Sequence, residues 1–121
     1  MQDYRELHVW QRNHKLVLGL YRATQFVTPT ERYGLTSQLS RACLSVPANL
    51  AEGCRRATAK EYARFLNIAE GSLSETECLI LVSRDLGYIR EDAARRFLAE
   101  ATEVLKMLSA LRRKMQEGMA R

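Results

Sequence analysis

The chain has 121 residues, of which 46% are hydrophobic and 27% are charged, and its formal net charge at pH 7 is +5. These values predict one globular domain, residues 1–121, whose core is large enough to be stable without disulfides or a structural metal. The longest apolar run, residues 78–82, is far too short to span a bilayer, and the polar first ten residues do not resemble a signal peptide. We therefore expect a cytoplasmic protein with no membrane partner.

A first helix is predicted over residues 6–26, where apolar residues recur at helical spacing. Its apolar face is broad, because Trp10, Val17 and Tyr21 flank the central line. Gly19 lies inside this helix at a modest cost to its stability and predicts a close approach of a neighbouring helix.

Two starts are open for the second helix. Thr28 as N-cap, with Pro29 at the first helical position and Glu31 at the third, would form a capping box. Alternatively, the helix begins only after Gly34, with Thr36 close to its start.

An apolar stripe and a polar stripe run side by side along the second helix. At about 100° per residue they are roughly a quarter-turn apart, so the polar stripe borders the core and does not lie opposite it. Pro47 lacks an N–H and predicts a kink, and Gly53 predicts a C-cap. The apolar stripe is Leu35, Leu39, Ala42, Val46 and Leu50, and the polar stripe is Gln38, Arg41, Ser45, Asn49 and Glu52.

Two interpretations of the polar stripe are open. In the first, Ser45 and Asn49 satisfy backbone groups that the proline leaves without partners, and the stripe is structural. In the second, the stripe is a binding surface. Loss of stability on truncation of Asn49 would favour the first interpretation.

A third helix is predicted from Thr58, which forms a capping box with Glu61, to about Leu86, where Gly87 ends it. Gly71 and Ser72 lie mid-helix and predict close packing against the second helix.

Apolar residues cover the whole circumference of the third helix at residues 78–82. A helix that is apolar all round is buried on more than one side, so we predict that another subunit covers it. The predicted interface residues are Trp10, Val17, Tyr21, Cys78, Leu81 and Val82.

A fourth helix is predicted over residues 91–117, where a single apolar stripe recurs. Four helices with short connections and no strand pattern predict an all-α fold. The expected architecture is an antiparallel up-and-down four-helix bundle with a proline-kinked second helix.

The residue types needed for catalysis or metal binding are not arranged for either. His8 and His14 do not follow a glutamate at the spacing of di-iron sites, and they are six residues apart, so they share no helix face. Cys43 and Cys54 are too far apart on one helix for a disulfide and are expected to be buried thiols. We predict no catalytic residue, metal, cofactor or small-molecule substrate, and hence no enzyme.

Two basic groups could contact phosphates. The alternative is that they are solvated helix faces, the second of them complementing a helix C-terminus. The first group is Arg55, Arg56, Lys60 and Arg64, with Arg41 nearby, and the second is Arg112, Arg113 and Lys114, with Arg121 beyond.

Several segments resemble one known family. They are VW at residues 9–10, ERYGLTSQ at 31–38, SVPANLAEG at 45–53, and YxxFLxIAxGS at 62–72 with Glu75. Together these segments are similar to the four-helix-bundle proteins encoded in intervening sequences of bacterial 23S ribosomal RNA genes. The family positions are Gln38, Arg41, Ser45, Pro47, Asn49, Glu52, Gly53, Gly71, Ser72 and Glu75.

This resemblance implies a small cytosolic bundle that assembles as a homopentamer, without a settled activity or a catalytic residue. A more distant similarity to accessory proteins of diversity-generating retroelements suggests basic pentamers that bind nucleic acid and a reverse transcriptase. We therefore expect a non-enzymatic, homo-oligomeric binding or scaffold protein that contacts RNA. The alternative is a protein–protein adaptor that binds no nucleic acid.

Overall fold

The computed structural model describes residues 3–25, 27 and 34–120, and within them the chain forms four α-helices. Each helix contacts two neighbours, α1 and α3 each packing against both α2 and α4, and neighbouring helices are antiparallel. The predicted all-α, antiparallel four-helix architecture is therefore confirmed. The helices are α1 (His8–Thr24), α2 (Leu35–Cys54), α3 (Ala59–Asp85) and α4 (Glu91–Ala120), and a short 3-10 turn, Tyr4–Glu6, precedes α1.

Local signals set most of the helix ends. Gly34 is the N-cap of α2, as the later of the two predicted starts requires. The earlier start, a capping box at residues 28–31, lies outside the described residues. The Thr58 hydroxyl accepts a hydrogen bond from the Glu61 N–H at 3.2 Å, which confirms the cap of α3.

The end of α3 is a glycine-dependent cap. Gly87 has φ +81°, a left-handed conformation that favours glycine. The Tyr88 N–H donates to the Ser83 carbonyl at 2.8 Å, and the Gly87 N–H donates to the Arg84 carbonyl at 3.0 Å. This pair of bonds satisfies carbonyls that the helix would otherwise leave without donors.

Helix α2 is continuous from Leu35 through Pro47 to Cys54, so the kink that Pro47 predicts stays a prediction. The predicted C-cap at Gly53 is wrong, because Gly53 lies inside the helix and Arg55 is its C-cap. A Cβ at Gly53 would lie only 2.9 Å from the Cβ of Phe65. Glycine is therefore required there by the close approach of α3 and not by a turn.

The apolar stripes of all four helices meet in one core. Burial of each large aliphatic side chain stabilises the fold by about 1.5–3 kcal/mol. The predicted close approach at Gly19 is confirmed, because a Cβ there would lie 3.0 Å from Cε1 of Phe97. The prediction that α2 packs closely against α3 at Gly71 is wrong, since nothing lies within 4 Å of a Cβ placed there. The fully buried large residues include Leu20, Leu39, Val46, Leu50, Leu66, Leu73, Ile80, Val104 and Leu108.

Hydrophobicity in the described helices is divided between core and surface. None of these helices is both long enough and apolar enough to cross a membrane. In the stretch 78–82, Leu79 and Ile80 are buried in the core, and Cys78, Leu81 and Val82 are exposed. One side of this stretch therefore packs inside the chain and the other faces outward.

Candidate functional site

A polar groove of about 720 Å³ opens between α2 and α3. We call it the polar groove. Five of the seven polar side chains among the family positions line it, which are Gln38, Arg41, Ser45, Ser72 and Glu75. The other two, Asn49 and Glu52, do not line it and lie further along α2.

The floor of the polar groove is a hydrogen-bond network that joins α2 to α3. The Ser72 hydroxyl donates to Oγ of Ser45 at 2.9 Å. The Asn49 side-chain amide donates to the Ser45 carbonyl at 2.7 Å and to its Oγ at 3.0 Å. Pro47 has no N–H to donate to the carbonyl of Cys43, four residues earlier. The Asn49 side chain donates to the carbonyl of Ser45 and therefore does not replace that missing hydrogen bond.

The rim of the polar groove is open to solvent. Gln38, Arg41 and Glu75 are exposed. Among the residues that the structure describes, neither Arg41 nor Glu75 forms an ion pair within 4 Å. The lining of the polar groove therefore has two parts. Ser45 and Ser72 connect α2 to α3 by a hydrogen bond, and Gln38, Arg41 and Glu75 are exposed to solvent.

Basic residues that are distant in sequence meet at one end of the bundle, where α2 and α4 end and α3 begins. Gln116 of α4 lines a shallow groove together with Lys60, Glu61 and Arg64 of α3. A Cβ at Gly118 would lie 3.9 Å from the Cβ of Ala59. We call this region the basic end, and its basic residues are Arg55, Arg56, Lys60, Arg64, Arg113 and Lys114.

Most charges of the basic end have no carboxylate partner. Within the described part of the chain, Arg56 is the one member with an ion pair, to Glu52 at 3.9 Å. All six side chains are exposed. An exposed pair at that distance contributes little stability and is screened by salt. The basic end therefore presents cations to solvent.

Aromatic rings support three arginines of the basic end. The guanidinium carbons of Arg56 and Arg64 lie 4.8 Å and 4.7 Å from the centroid of the Phe65 ring. The guanidinium carbon of Arg55 lies 5.5 Å from the centroid of the Tyr4 ring. Each contact is an attraction between a cation and the negative face of a ring, which offsets repulsion between neighbouring cations.

Arg112 and Arg41 lie apart from the basic end. The Arg112 guanidinium donates to the carboxylate of Glu70, with Nη2 3.3 Å from Oε1, and Ser109 donates to the same carboxylate. The side chains of Arg112 and Glu70 are only 24% and 13% exposed, and the hydrogen bond to Glu70 raises the pKa of Arg112. Arg112 thus ties α4 to α3, while Arg41 lines the polar groove.

The predicted interface residues differ in exposure. Tyr21, Leu81 and Val82 are 41%, 38% and 41% exposed, and Cys78 is exposed as well. Trp10 is half-buried. Val17 is only 6% exposed because it packs in the chain's own core, so it has little surface left for a second subunit. Further exposed apolar residues, which sequence reasoning missed, are Leu18, Leu44, Ile68 and Leu86.

Two titratable groups near the core have raised pKa values. Burial raises the pKa of the Cys43 thiol to about 11. Burial, together with the neighbouring Cys54, raises the pKa of Tyr62 to about 12. Cys43 and Cys54 are both buried, as expected. In the described ranges, no three His, Cys, Asp or Glu side chains gather to hold a metal ion.

Comparison with known protein families gives a match over most of the chain. A family model described as 23S rRNA-intervening sequence protein matches residues 5–110. The chain belongs to this family. The matched range includes the polar groove and four of the six cations of the basic end, while Arg113 and Lys114 lie beyond it.

The solved structures that match the chain include the crystal structure of a protein of unknown function from the S23 ribosomal protein family of Bacteroides thetaiotaomicron. The two chains are 21% identical with a TM-score of 0.78, over 85% of this chain and 96% of that one. At this identity the likeness supports the four-helix fold alone. No curated protein matches the chain.

Sequence reasoning missed the aromatic supports of the basic end. Phe65 fits the core stripe of α3, and nothing in its spacing distinguishes it from a residue that only packs inside. Tyr4 precedes α1 and meets Arg55 only through the tertiary fold. The available signal was the adjacency of Arg64 and Phe65, which is weak because neighbouring helix residues do not face each other.

Proposed function

We propose that the chain is a cytoplasmic, non-enzymatic, homo-oligomeric binding and scaffold protein that contacts RNA through its basic end. The observation that carries the proposal is a set of exposed cations that follow α2 or lie on α3 and α4, of which Arg56 alone has an ion pair among the described residues. Lysine and arginine side chains of this kind displace counterions from phosphates, and that release drives binding. The family's name, which refers to 23S rRNA, is consistent with a contact to RNA.

Self-association would multiply the contact. Exposed apolar side chains on α1 and α3 support a subunit interface, since leaving several of them in water forgoes about 1.5–3 kcal/mol each. The family resemblance points to five subunits. In a closed ring, five basic ends would act on one RNA, and the later contacts would gain from a raised effective concentration.

The experiment is a titration of labelled RNA with the purified chain at several salt concentrations. The affinity is expected to fall steeply between about 50 and 200 mM salt, with a slope that counts the phosphates contacted. A binding constant that does not change with salt, or no binding at about 50 mM salt, would refute the RNA contact.

The subunit number is measured separately by light scattering. The expected result is a mass of several chains, with five as the proposed number. A mass near 13.9 kDa, the value for a single chain, would refute self-association. Leu81→Arg places a charge on the exposed side of α3 and is expected to dissociate the assembly while its helices persist.

The polar groove supports the second candidate, a protein–protein adaptor. Its rim carries an exposed cation and an exposed anion without ion-pair partners among the described residues, a mixed surface that suits a polypeptide better than a polyanion. A chain that assembles but binds no RNA at low salt would favour this function.

A further inference from the structure

We infer that the basic end takes single-stranded RNA, and that unpaired bases stack on the guanidinium groups of Arg55, Arg56 and Arg64. This inference rests on the proposed RNA contact and adds the class of RNA and the chemistry that recognises it. Charge alone does not distinguish a single strand from a duplex, because both carry phosphates.

The three arginines share a geometry that the other cations of the basic end lack. Each guanidinium carbon lies over an aromatic ring, at 5.5 Å for Arg55, 4.8 Å for Arg56 and 4.7 Å for Arg64. All three side chains are nevertheless exposed. Each of these guanidinium groups is thus close to a ring and belongs to an exposed side chain, and a planar cation of this kind is a surface on which RNA bases stack.

The rings beneath these arginines are anchored. Phe65 is only 8% exposed, and its Cβ lies 2.9 Å from where a Cβ on Gly53 of α2 would be, so α2 closely confines its base. The Tyr4 ring packs edge-on against Trp10 at 5.4 Å between centroids, and Trp10 in turn stacks on His14 at 4.8 Å. A guanidinium held on an anchored ring loses less side-chain freedom on binding than one that is loose in solvent.

Only a single strand can use these surfaces. In an A-form duplex the bases are paired and stacked on one another, and proteins meet mainly phosphates and 2′-hydroxyls. In a single strand the bases can turn outward and stack on planar groups while the backbone follows the positive charge. Lys60, Arg113 and Lys114 would supply that charge for either form of RNA.

The opposite end of the bundle provides the matched comparison. Arg90, Arg95 and Arg96 are exposed like the three arginines of the basic end. They lie against carboxylates, with Arg90 and Arg96 on Asp92 and Arg95 on Glu91. None of the three lies over a ring within the described residues.

The test replaces arginine by lysine, which keeps the charge and removes the planar face. The platform variant changes Arg55, Arg56 and Arg64 to Lys, and the control variant changes Arg90, Arg95 and Arg96 to Lys. Three probes have equal phosphate counts per strand: a single strand of about twelve nucleotides, the same strand without bases, and the corresponding duplex. Circular dichroism verifies that both variants retain their helices.

The platform variant is expected to bind the single strand about tenfold more weakly than the parent, because base stacking is lost. Its affinity for the baseless strand and for the duplex is expected to change by less than about twofold, because the charge is retained. The control variant is expected to match the parent on all three probes.

Two results would overturn the inference and leave the RNA contact itself standing. One is a platform variant that binds the single strand as tightly as the parent does. The other is an equal loss on all three probes, which would mean that the guanidinium groups contact phosphates and not bases. A parent that binds none of the probes at about 50 mM salt would overturn the proposed RNA contact together with the inference.

Discussion

The two ends of the bundle carry the same residue types in different surroundings. At the end formed by the close of α3 and the start of α4, which we call the paired end, arginines lie on carboxylates. At the basic end, they lie on aromatic rings or have no close partner among the described residues. The pairs of the paired end are Arg84–Asp85 at 2.9 Å, Arg90–Asp92 at 3.3 Å, Arg95–Glu91 at 3.6 Å and Arg96–Asp92 at 3.6 Å.

The difference has a local cause in the sequence. Helix α4 begins with Glu91 and Asp92, which the positive end of the helix dipole favours. Arg95 and Arg96 follow one turn later and meet those carboxylates. At the paired end, three carboxylates therefore offset most of the charge of four arginines within a few residues of chain. Net charge alone would not have distinguished the two ends, because what matters for a partner is which cations lack a neighbouring anion.

The largest expected effect comes from removing four cations at each end in turn. Changing Arg55, Arg56, Lys60 and Arg64 to Ala is expected to weaken RNA binding by about 100-fold or more at low salt and to flatten its salt dependence. The measurement is a titration of one labelled RNA across salt concentrations.

The matched control removes the same formal charge from the paired end. Changing Arg84, Arg90, Arg95 and Arg96 to Ala is expected to alter RNA affinity by only a few-fold, through the long-range field. If the two variants lose affinity equally, net charge governs binding and the distinction between the ends has no functional meaning.

The second prediction concerns Glu70, whose carboxylate pairs with Arg112. This ion pair distinguishes Arg112 from the exposed cations of the basic end. Glu70→Ala would leave a largely covered guanidinium without its carboxylate and is expected to lower the free energy of unfolding by about 2–3 kcal/mol. Chemical denaturation measures the change. Glu75→Ala is the control, because Glu75 is exposed and without an ion pair among the described residues, and its effect is expected to stay within about 0.5 kcal/mol. A loss of similar size for both variants would contradict the structural role of Glu70.

Regularities within one helix made much of this fold predictable. The cap at Thr58, the stop at Gly87 and the apolar stripes depend on residues three to five positions apart, which the sequence displays directly. The same spacing placed Ser45 beside the core, where the structure has it.

What the sequence left undetermined depends on register between helices. The partner of Arg112 is 42 residues away, and the neighbour that requires glycine at position 53 lies on α3. The broad apolar face of the first helix predicts an outer interface at Val17, but the chain's own core buries this residue. Periodicity shows that a face is apolar and does not show how far neighbouring helices cover it.

The third prediction tests the close approach that brings α2 and α3 together at the basic end. Gly53→Ala would place a Cβ 2.9 Å from the Cβ of Phe65, which cannot move without the backbone of α3, and 3.1 Å from Cδ1 of Tyr62. The free energy of unfolding is expected to fall by about 1–2 kcal/mol. Gly71→Ala, where a Cβ meets open space, is expected to raise it by about 0.5–1 kcal/mol. If both changes stabilise the protein, the approach at Gly53 is looser than the structure indicates.

The smallest expected effect concerns Arg5, a cation near the basic end. Arg5 forms an ion pair with a carboxylate, as the arginines of the paired end do. The Asp3 carboxylate accepts from the Arg5 side chain, with Nη2 2.7 Å from Oδ2, and from the Arg5 N–H at 2.9 Å. These hydrogen bonds lower the pKa of Asp3 to about 2. Since the folded pKa lies below the unfolded value, the pair contributes above about pH 4 and is lost as the pH falls toward 2.

An NMR titration of the Asp3 carboxyl carbon checks this, and its midpoint is expected near pH 2. Arg5→Ala removes the side-chain donor and is expected to move the midpoint most of the way back to the ordinary value of 3.8. A midpoint near 3.8 in the unmodified chain would mean that the Arg5 side chain does not form its hydrogen bonds to Asp3. Arg5 would then count among the exposed cations of the basic end. If the pair forms, Asp3→Asn releases Arg5 and is expected to raise that affinity by about twofold at low salt.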